Sequence, residues 1–305
     1  MMSLTRRRSL ILLFLALALP ALLLVLSKSW HDLARNRPVQ TPDDISDSKH
    51  KSQEKGPQNP ELAQQLDRAK DRDLEKPART SADVNDALES TVARNRLAMV
   101  QAQLAGRDIT DERVLKAMRR VPRHLFVPEE LRALAYTDRP LPIGHGQTIS
   151  QPYVVALMTQ LAQPSESARA LDVGTGSGYQ AAVLAELVHQ VYSIEIVCPL
   201  ADAARQRLKT RGYDNVEVRC GDGFNGWPDR APFDVIIVAA ASKKVPQPLI
   251  DQLAPGGRLV IPVGKYFQEL MVIEKQPDGS VKQRSVAPVA FVPMTRDKKD
   301  PDQVR

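Results

Sequence analysis

The sequence predicts an α/β fold: a doubly wound sheet, mainly parallel, preceded by a helical subdomain. Three observations lead there. From Ala168 onward, short apolar runs alternate with helical patterns, the signature of a parallel sheet covered on both faces. A glycine-rich turn, Gly174 to Gly178, joins the first such run to the helix after it. Before Ala168 the periodicity from Val92 is helical only.

The elements follow in order. Leu97, Val100, Gln101 and Leu104 form a helical stripe that Gly106 ends. Thr110 or Asp111 can cap a second helix through Val114, Leu115 and Met118, which stops before Pro122. A short helix follows Pro128. Residues Tyr136 to Gln151, rich in Gly and Pro, read as an ordered loop, and Pro152 opens a helix through Leu157 and Leu161. Strands are predicted over 168–173, 191–196, 216–219, 234–238 and 258–263, and helices over 179–188, 199–211 and 246–253. Pro255-Gly256-Gly257 reads as a turn. A hairpin over 270–274 and 281–286 closes the domain around Pro277-Asp278-Gly279.

Ahead of this lie two segments of different character. Arg6, Arg7 and Arg8 precede an unbroken apolar run, Leu10 to Leu26, with Pro20 its one breaker. The run sits at the lower limit for a membrane-spanning helix, about 17 residues, and is long for the apolar region of a signal peptide. Residues 1–30 are therefore read as a signal or anchor segment, with 10–26 as a candidate membrane tether; the alternative is an extension that arises from a start codon chosen too early. Basic residues flank both ends, so orientation is undecided. Residues 31–92 read as a polar linker: from His31 to Leu125 there is no Phe, Trp or Tyr, too little apolar surface to offset chain entropy in the first half of that stretch. A charged tail, 296–305, follows the predicted domain of 93–295.

The net charge of +6 arises from 42 basic and 36 acidic residues mixed along the chain. With no basic stripe interleaved with aromatics, nucleic acid is not an implied partner. The two cysteines, Cys198 and Cys220, lack a CxxC spacing, so no metal is expected, and they read as plain buried thiols.

The chemistry gathers at the strand ends. Asp172 precedes Gly174-Thr175-Gly176-Ser177-Gly178, where alternate glycines let backbone approach a ligand and a helix N-terminus presents free N–H groups. The spacing is GxGxG, not the GxGxxG of dinucleotide folds. Glu195 closes the second strand, where an acid can accept from a ribose diol. Asp222, between Gly221 and Gly223, follows the third strand and suits an adenine amino group, or merely a turn.

Together with the apolar strand Phe233 to Val238, these residues resemble the class I S-adenosylmethionine-dependent methyltransferases. Ala239, Ala240 and Ala241 stand where enzymes that methylate exocyclic amines carry an Asn/Asp-Pro-Pro-Tyr/Phe motif, which argues against that branch. Upstream, Tyr136 to Gly144 leading into Gly146-Gln147-Thr148-Ile149-Ser150-Gln151-Pro152 closely resembles the protein-L-isoaspartate (D-aspartate) O-methyltransferases, as do Val121-Pro122-Arg123, Phe126-Val127-Pro128, Leu253 to Leu259, and Phe291 to Thr295. The resemblance implies a Rossmann-like methyltransferase sheet with S-adenosyl-L-methionine as cofactor. It also implies isoaspartyl-containing proteins and peptides as partners, and transfer to the free α-carboxylate of L-isoaspartyl residues. It assigns Ser150 to the active site. Asp172, Gly174, Thr175, Gly176, Gly178, Glu195, Asp222 and Gly223 fall to the cofactor. Thr148, Ile149 and Thr295 fall to the substrate. His145 reads as a structural loop histidine. The alternatives are an O-methyltransferase for a small carboxylic acid, a tethered non-catalytic binder of damaged chains, and a nicotinamide oxidoreductase, for which the glycine spacing is wrong. The family is typically cytoplasmic, which predicts a cytoplasmic catalytic domain with an inner-membrane tether; export to the periplasm is the alternative.

Overall fold

The structure is a computed structural model that describes residues 81–296. The apolar run 10–26, most of the linker 31–92 and the tail beyond Arg296 lie outside the described residues. Among those described, no helix is long and apolar enough to cross a membrane.

The chain enters through helix α1 (Ser81–Met99), which passes into a π-helical turn, Val100–Ala105, ended by Gly106. The helix thus begins inside the stretch read as linker. Helix α2 (Glu112–Arg120) is capped by Asp111, whose side chain accepts from the Arg113 N–H. Two 3-10 turns, Arg123–Phe126 and Glu129–Leu134, lead to strands β1 (Leu141–Gly144) and β2 (Gln147–Ile149). These pair antiparallel, so the predicted loop contains a hairpin. Its turn needs three consecutive positive φ values, at Gly144 (89°), His145 (52°) and Gly146 (69°). Helix α3 (Pro152–Ala162) follows, with Pro in its first turn.

The main sheet has seven strands in the order β5-β4-β3-β6-β7-β8-β9: β3 (Arg169–Val173), β4 (Gln190–Glu195), β5 (Val216–Cys220), β6 (Phe233–Val238), β7 (Leu253–Val263), β8 (Gln268–Lys275) and β9 (Val281–Val289). The first five run parallel and the last two pair antiparallel. Helices α4 (Tyr179–Ala185), α5 (Cys198–Thr210) and α6 (Gln247–Asp251) form the crossovers. The fold class is the predicted one. The local difference is β7, which absorbs the expected Pro-Gly-Gly turn into one long strand with a register shift.

Successive strand residues feed opposite faces. Val235 and Ile237 join a core with Val114, Met118, Ala156 and Leu184, while Ile236 and Val238 join one with Tyr192, Trp227 and Leu249. Both sides of β6 are therefore dry, which explains its uninterrupted apolar run.

The expectation for the cysteines is corrected. Cys198 and Cys220 are exposed and joined in a disulfide, their Cα atoms 5.0 Å apart. The parallel pairing of β4 with β5, which sets Cys220 opposite Glu195, carries the end of β5 to the start of α5.

Candidate active site

The carboxyl ends of β3, β4, β5 and β6 open on one cleft, where the strand order reverses between β3 and β6. Its floor is the turn from β3 into α4. Gly176 has φ 51°, and a Cβ there would stand 3.2 Å from Ile143 Cδ1 of the β1–β2 hairpin, so the hairpin lies directly over the glycine turn. The Glu195 side chain bridges this turn to the next: one oxygen accepts from the Gly176 N–H at 2.8 Å, the other from the Val197 N–H at 3.0 Å. Each oxygen keeps a further lone pair for a donor in the cleft.

Behind the floor runs a buried chain of polar groups. The Ser193 hydroxyl donates to Asp172 Oδ2 at 2.7 Å, and the Thr175 hydroxyl lies 2.6 Å from Ser193 Oγ. Because Ser193 spends its proton on the carboxylate, Thr175 is the donor to Ser193. Burial pushes the Asp172 carboxyl up to about 7, the nearby Glu195 charge adds to the rise, and the Ser193 hydrogen bond opposes it. Under α4, the fully buried Arg123 donates to the Ala135 carbonyl at 2.9 Å and lies 4.8 Å from the Tyr179 ring centre. Burial lowers it to about 10 and raises Tyr179 to about 12.

The hairpin delivers Thr148, Ile149 and Ser150 to the cleft wall. The opposite wall is Val292 to Thr295, held by backbone bonds from the Ala241 N–H to the Val292 carbonyl and from the Met294 N–H to the Ala241 carbonyl, each 2.8 Å. Arg296, the first residue of the predicted charged tail, lies 4.5 Å from the Phe224 ring centre.

Of the sequence-predicted residues, Thr148, Ile149, Ser150, Gly174, Thr175, Gly176, Glu195, Gly223 and Thr295 line the cleft. Asp172, Gly178 and Asp222 do not. Asp172 is fully buried behind the floor. Gly178 is the N-cap of α4, with φ 88°. The Asp222 side chain accepts from the Phe224 N–H at 2.9 Å, the turn geometry its sequence context also allowed. His145 sits exposed at the hairpin tip. Sequence reasoning missed Ser193, which reaches Asp172 only through the β3–β4 register. It also missed Gln180, which lines the cleft from α4, and the contact of Ile143 with the glycine turn, which only the fold of the hairpin sets.

Among the described residues, Glu195 is the one carboxylate on the cleft wall, and it is already committed to two N–H groups. The other polar groups there are hydroxyls, amides and backbone. Such a set of groups can orient and desolvate a substrate.

A glycine turn at the switch point, an acid closing the next strand and a hydroxyl-bearing hairpin over both define a class I methyltransferase. The sequence model of the protein-L-isoaspartate (D-aspartate) O-methyltransferases matches residues 94–299. A protein-L-isoaspartate O-methyltransferase of Polaromonas sp. is 59% identical over 192 residues, 62% of this chain and 91% of the relative. One of Opitutus terrae is 56% identical over 213 residues, 70% and 91% of the two chains. A solved Plasmodium falciparum structure, described as a protein-L-isoaspartate O-methyltransferase in complex with S-adenosyl-L-homocysteine, superimposes with a TM-score of 0.59 at 27% identity, covering 66% of this chain and 99% of its own. The chain belongs to the protein-L-isoaspartate (D-aspartate) O-methyltransferase family.

Proposed function

We propose that the protein transfers a methyl group from S-adenosyl-L-methionine to the free α-carboxylate of L-isoaspartyl residues in damaged proteins and peptides, beginning their repair through a succinimide. The observation that carries this reading is the meeting of the Thr148–Ser150 hairpin with the glycine turn and Glu195 in one cleft. The residues present fit the cofactor: Gly174 and Gly176 line the cleft with backbone alone, a side chain at Gly176 would press on Ile143, and the free lone pairs of Glu195 suit a ribose diol. Gly223, with Asp222 behind it, suits the adenine side. Asp172 acts from behind the floor through Ser193 and Thr175, and Gly178 through the start of α4. Bound S-adenosyl-L-methionine supplies an electrophilic methyl group on a sulfonium.

The acceptor carboxylate is ionised near neutral pH, so no base is needed, in keeping with a wall whose one acid is already engaged. Ser150 is the proposed catalytic residue, its hydroxyl donating to one carboxylate oxygen and aiming the other. Thr148, Ile149 and Thr295 hold the flanking peptide. A cleft of hydroxyl and apolar groups favours a reaction in which opposite charges cancel, because the transition state carries less charge than the reactants.

Residues 93–295 form the proposed catalytic domain, placed in the cytoplasm where the cofactor is made, with 10–26 as an inner-membrane tether. The Cys198–Cys220 disulfide favours a second reading of the compartment, export, because disulfides persist in oxidising surroundings. Alkylation of thiols at lysis separates the two.

The test of function uses labelled S-adenosylmethionine with matched Asp and isoAsp peptides. Labelling confined to the isoAsp peptide is expected. Equal labelling of both, or of neither, sinks the assignment, and labelling only of small carboxylic acids assigns the alternative acceptor. Ser150→Ala is expected to lower turnover at least about 10-fold with little change in cofactor affinity; unchanged turnover removes Ser150 from the mechanism.

A further inference from the structure

Helix α3 has an N-terminus that its own sequence does not cap. Gln151 occupies the capping position and makes no side-chain cap bond. The capping acceptor comes instead from before the β1–β2 hairpin: Asp138 Oδ1 accepts from the Tyr153 N–H at 3.1 Å. Its other oxygen, Oδ2, accepts from Gln151 Nε2 at 2.8 Å and pairs with Arg107 Nη1 at 3.1 Å. The Arg107 guanidinium in turn lies 3.4 Å from the Tyr153 ring centre, and the Tyr153 hydroxyl donates to Asp108 at 2.7 Å.

Asp138 thus sits just before the hairpin, and its partners Gln151 and Tyr153 just after it. One carboxylate closes the base of the whole excursion from Leu141 to Ile149. Ser150 is the residue between the last hairpin pair, Leu141 with Ile149, and Gln151. Its backbone is therefore held on one side by the strand pairing and on the other by the Asp138 clasp. The hairpin body reaches the glycine turn through Ile143. Loosening its base changes where Ser150 stands while leaving the floor of the cleft in place.

We infer that Asp138 is a positioning residue for the methyl transfer, fixing the Thr148–Ser150 segment over the cleft by clasping the two ends of the β1–β2 hairpin. The inference rests on the proposed role of Ser150. Asp138 does not line the cleft and touches no reacting atom. It acts by geometry, where a misplacement of about 1 Å can slow a reaction on the order of 100-fold.

The experiment compares Asp138→Ala, Asp138→Asn, Ser150→Ala and the double variant Asp138→Ala/Ser150→Ala in the full chain. Asp138→Ala should lower kcat for an isoAsp peptide by about 10- to 100-fold, with the Kd for S-adenosyl-L-homocysteine changed by less than about threefold. Asp138→Asn keeps an acceptor for the Tyr153 N–H and should recover most of the lost kcat. In the Ser150→Ala background, Asp138→Ala should add little further loss, since its effect runs through that serine. Full additivity, or a fall in kcat matched by an equal loss of S-adenosyl-L-homocysteine affinity, overturns the inference.

Amide hydrogen exchange supplies a readout independent of turnover. The amides of 141–149 should exchange at least about 10-fold faster in Asp138→Ala and recover in Asp138→Asn, while those of α4 stay as they were. Unchanged hairpin exchange overturns the clasp. Wild-type protein that methylates no isoAsp peptide sinks the proposed function instead, and the exchange result then decides the clasp alone.

Discussion

Replacing Asp172 with Asn should make the protein more resistant to unfolding at pH 8 than at pH 5 relative to wild type. The carboxyl is fully buried, and its one oxygen bond is from Ser193; Oδ1 has no partner among the described residues. Burial raises it from 3.8 to about 7. Between those values the native state binds a proton that the unfolded chain has released, so stability falls as pH rises through this window and levels off above it. The whole interval corresponds to about 4 kcal/mol, of which about 3 kcal/mol falls between pH 5 and pH 8. Asn offers Ser193 the same acceptor without the titration. Urea unfolding followed by Trp227 fluorescence at several pH values gives the two curves, and their difference isolates this group from others such as His124, whose burial lowers its pKa. A difference that stays constant from pH 5 to pH 8 refutes the reasoning.

Other expectations follow from the same contacts. Reducing the Cys198–Cys220 bond, whose cysteines are 22 residues apart, should lower stability by about 3 kcal/mol; a denaturant midpoint unmoved by dithiol contradicts this. A Cβ at position 223 would stand 2.5 Å from Val173 Cγ1, so Gly223→Ala should destabilise by about 1–3 kcal/mol and weaken S-adenosyl-L-homocysteine binding by calorimetry. Glu195→Ala leaves the Gly176 and Val197 N–H groups without their acceptor and should lose about 1–3 kcal/mol of stability along with cofactor affinity, both readable in one thermal-shift titration. Phe233→Ala, at a fully buried core position, should lose about 3–5 kcal/mol in urea melts.

The strand–helix alternation was readable because buried parallel strands leave continuous apolar runs, as in Val235 to Val238. The glycine turn and Glu195 were readable because their chemistry sits at fixed places on that alternation. The β1–β2 hairpin was not, because its strands are short and carry Pro142 and Gly144, and three positive φ values rather than any apolar pattern set its turn. In strand β7, Pro255-Gly256-Gly257 signals a turn locally, while the pairing of Leu253 with Phe233 of β6 extends the strand through it. The roles of Ser193 and Cys220 depend on register between strands far apart in the chain. No window along the sequence contains that information.

The disulfide has a topological consequence. Among the described residues, strand β5 is one outer edge of the sheet, with β4 its only strand neighbour, and edge strands are where a sheet frays first. The bond between the first residue of α5 and the last of β5 turns helix, connection and edge strand into a covalent ring. Fraying of the edge then cannot carry the end of β5, and the Asp222 turn that follows it, away from the start of α5. A protease cut inside the ring leaves the two ends attached, so nicked protein should run as an intact chain until the bond is reduced.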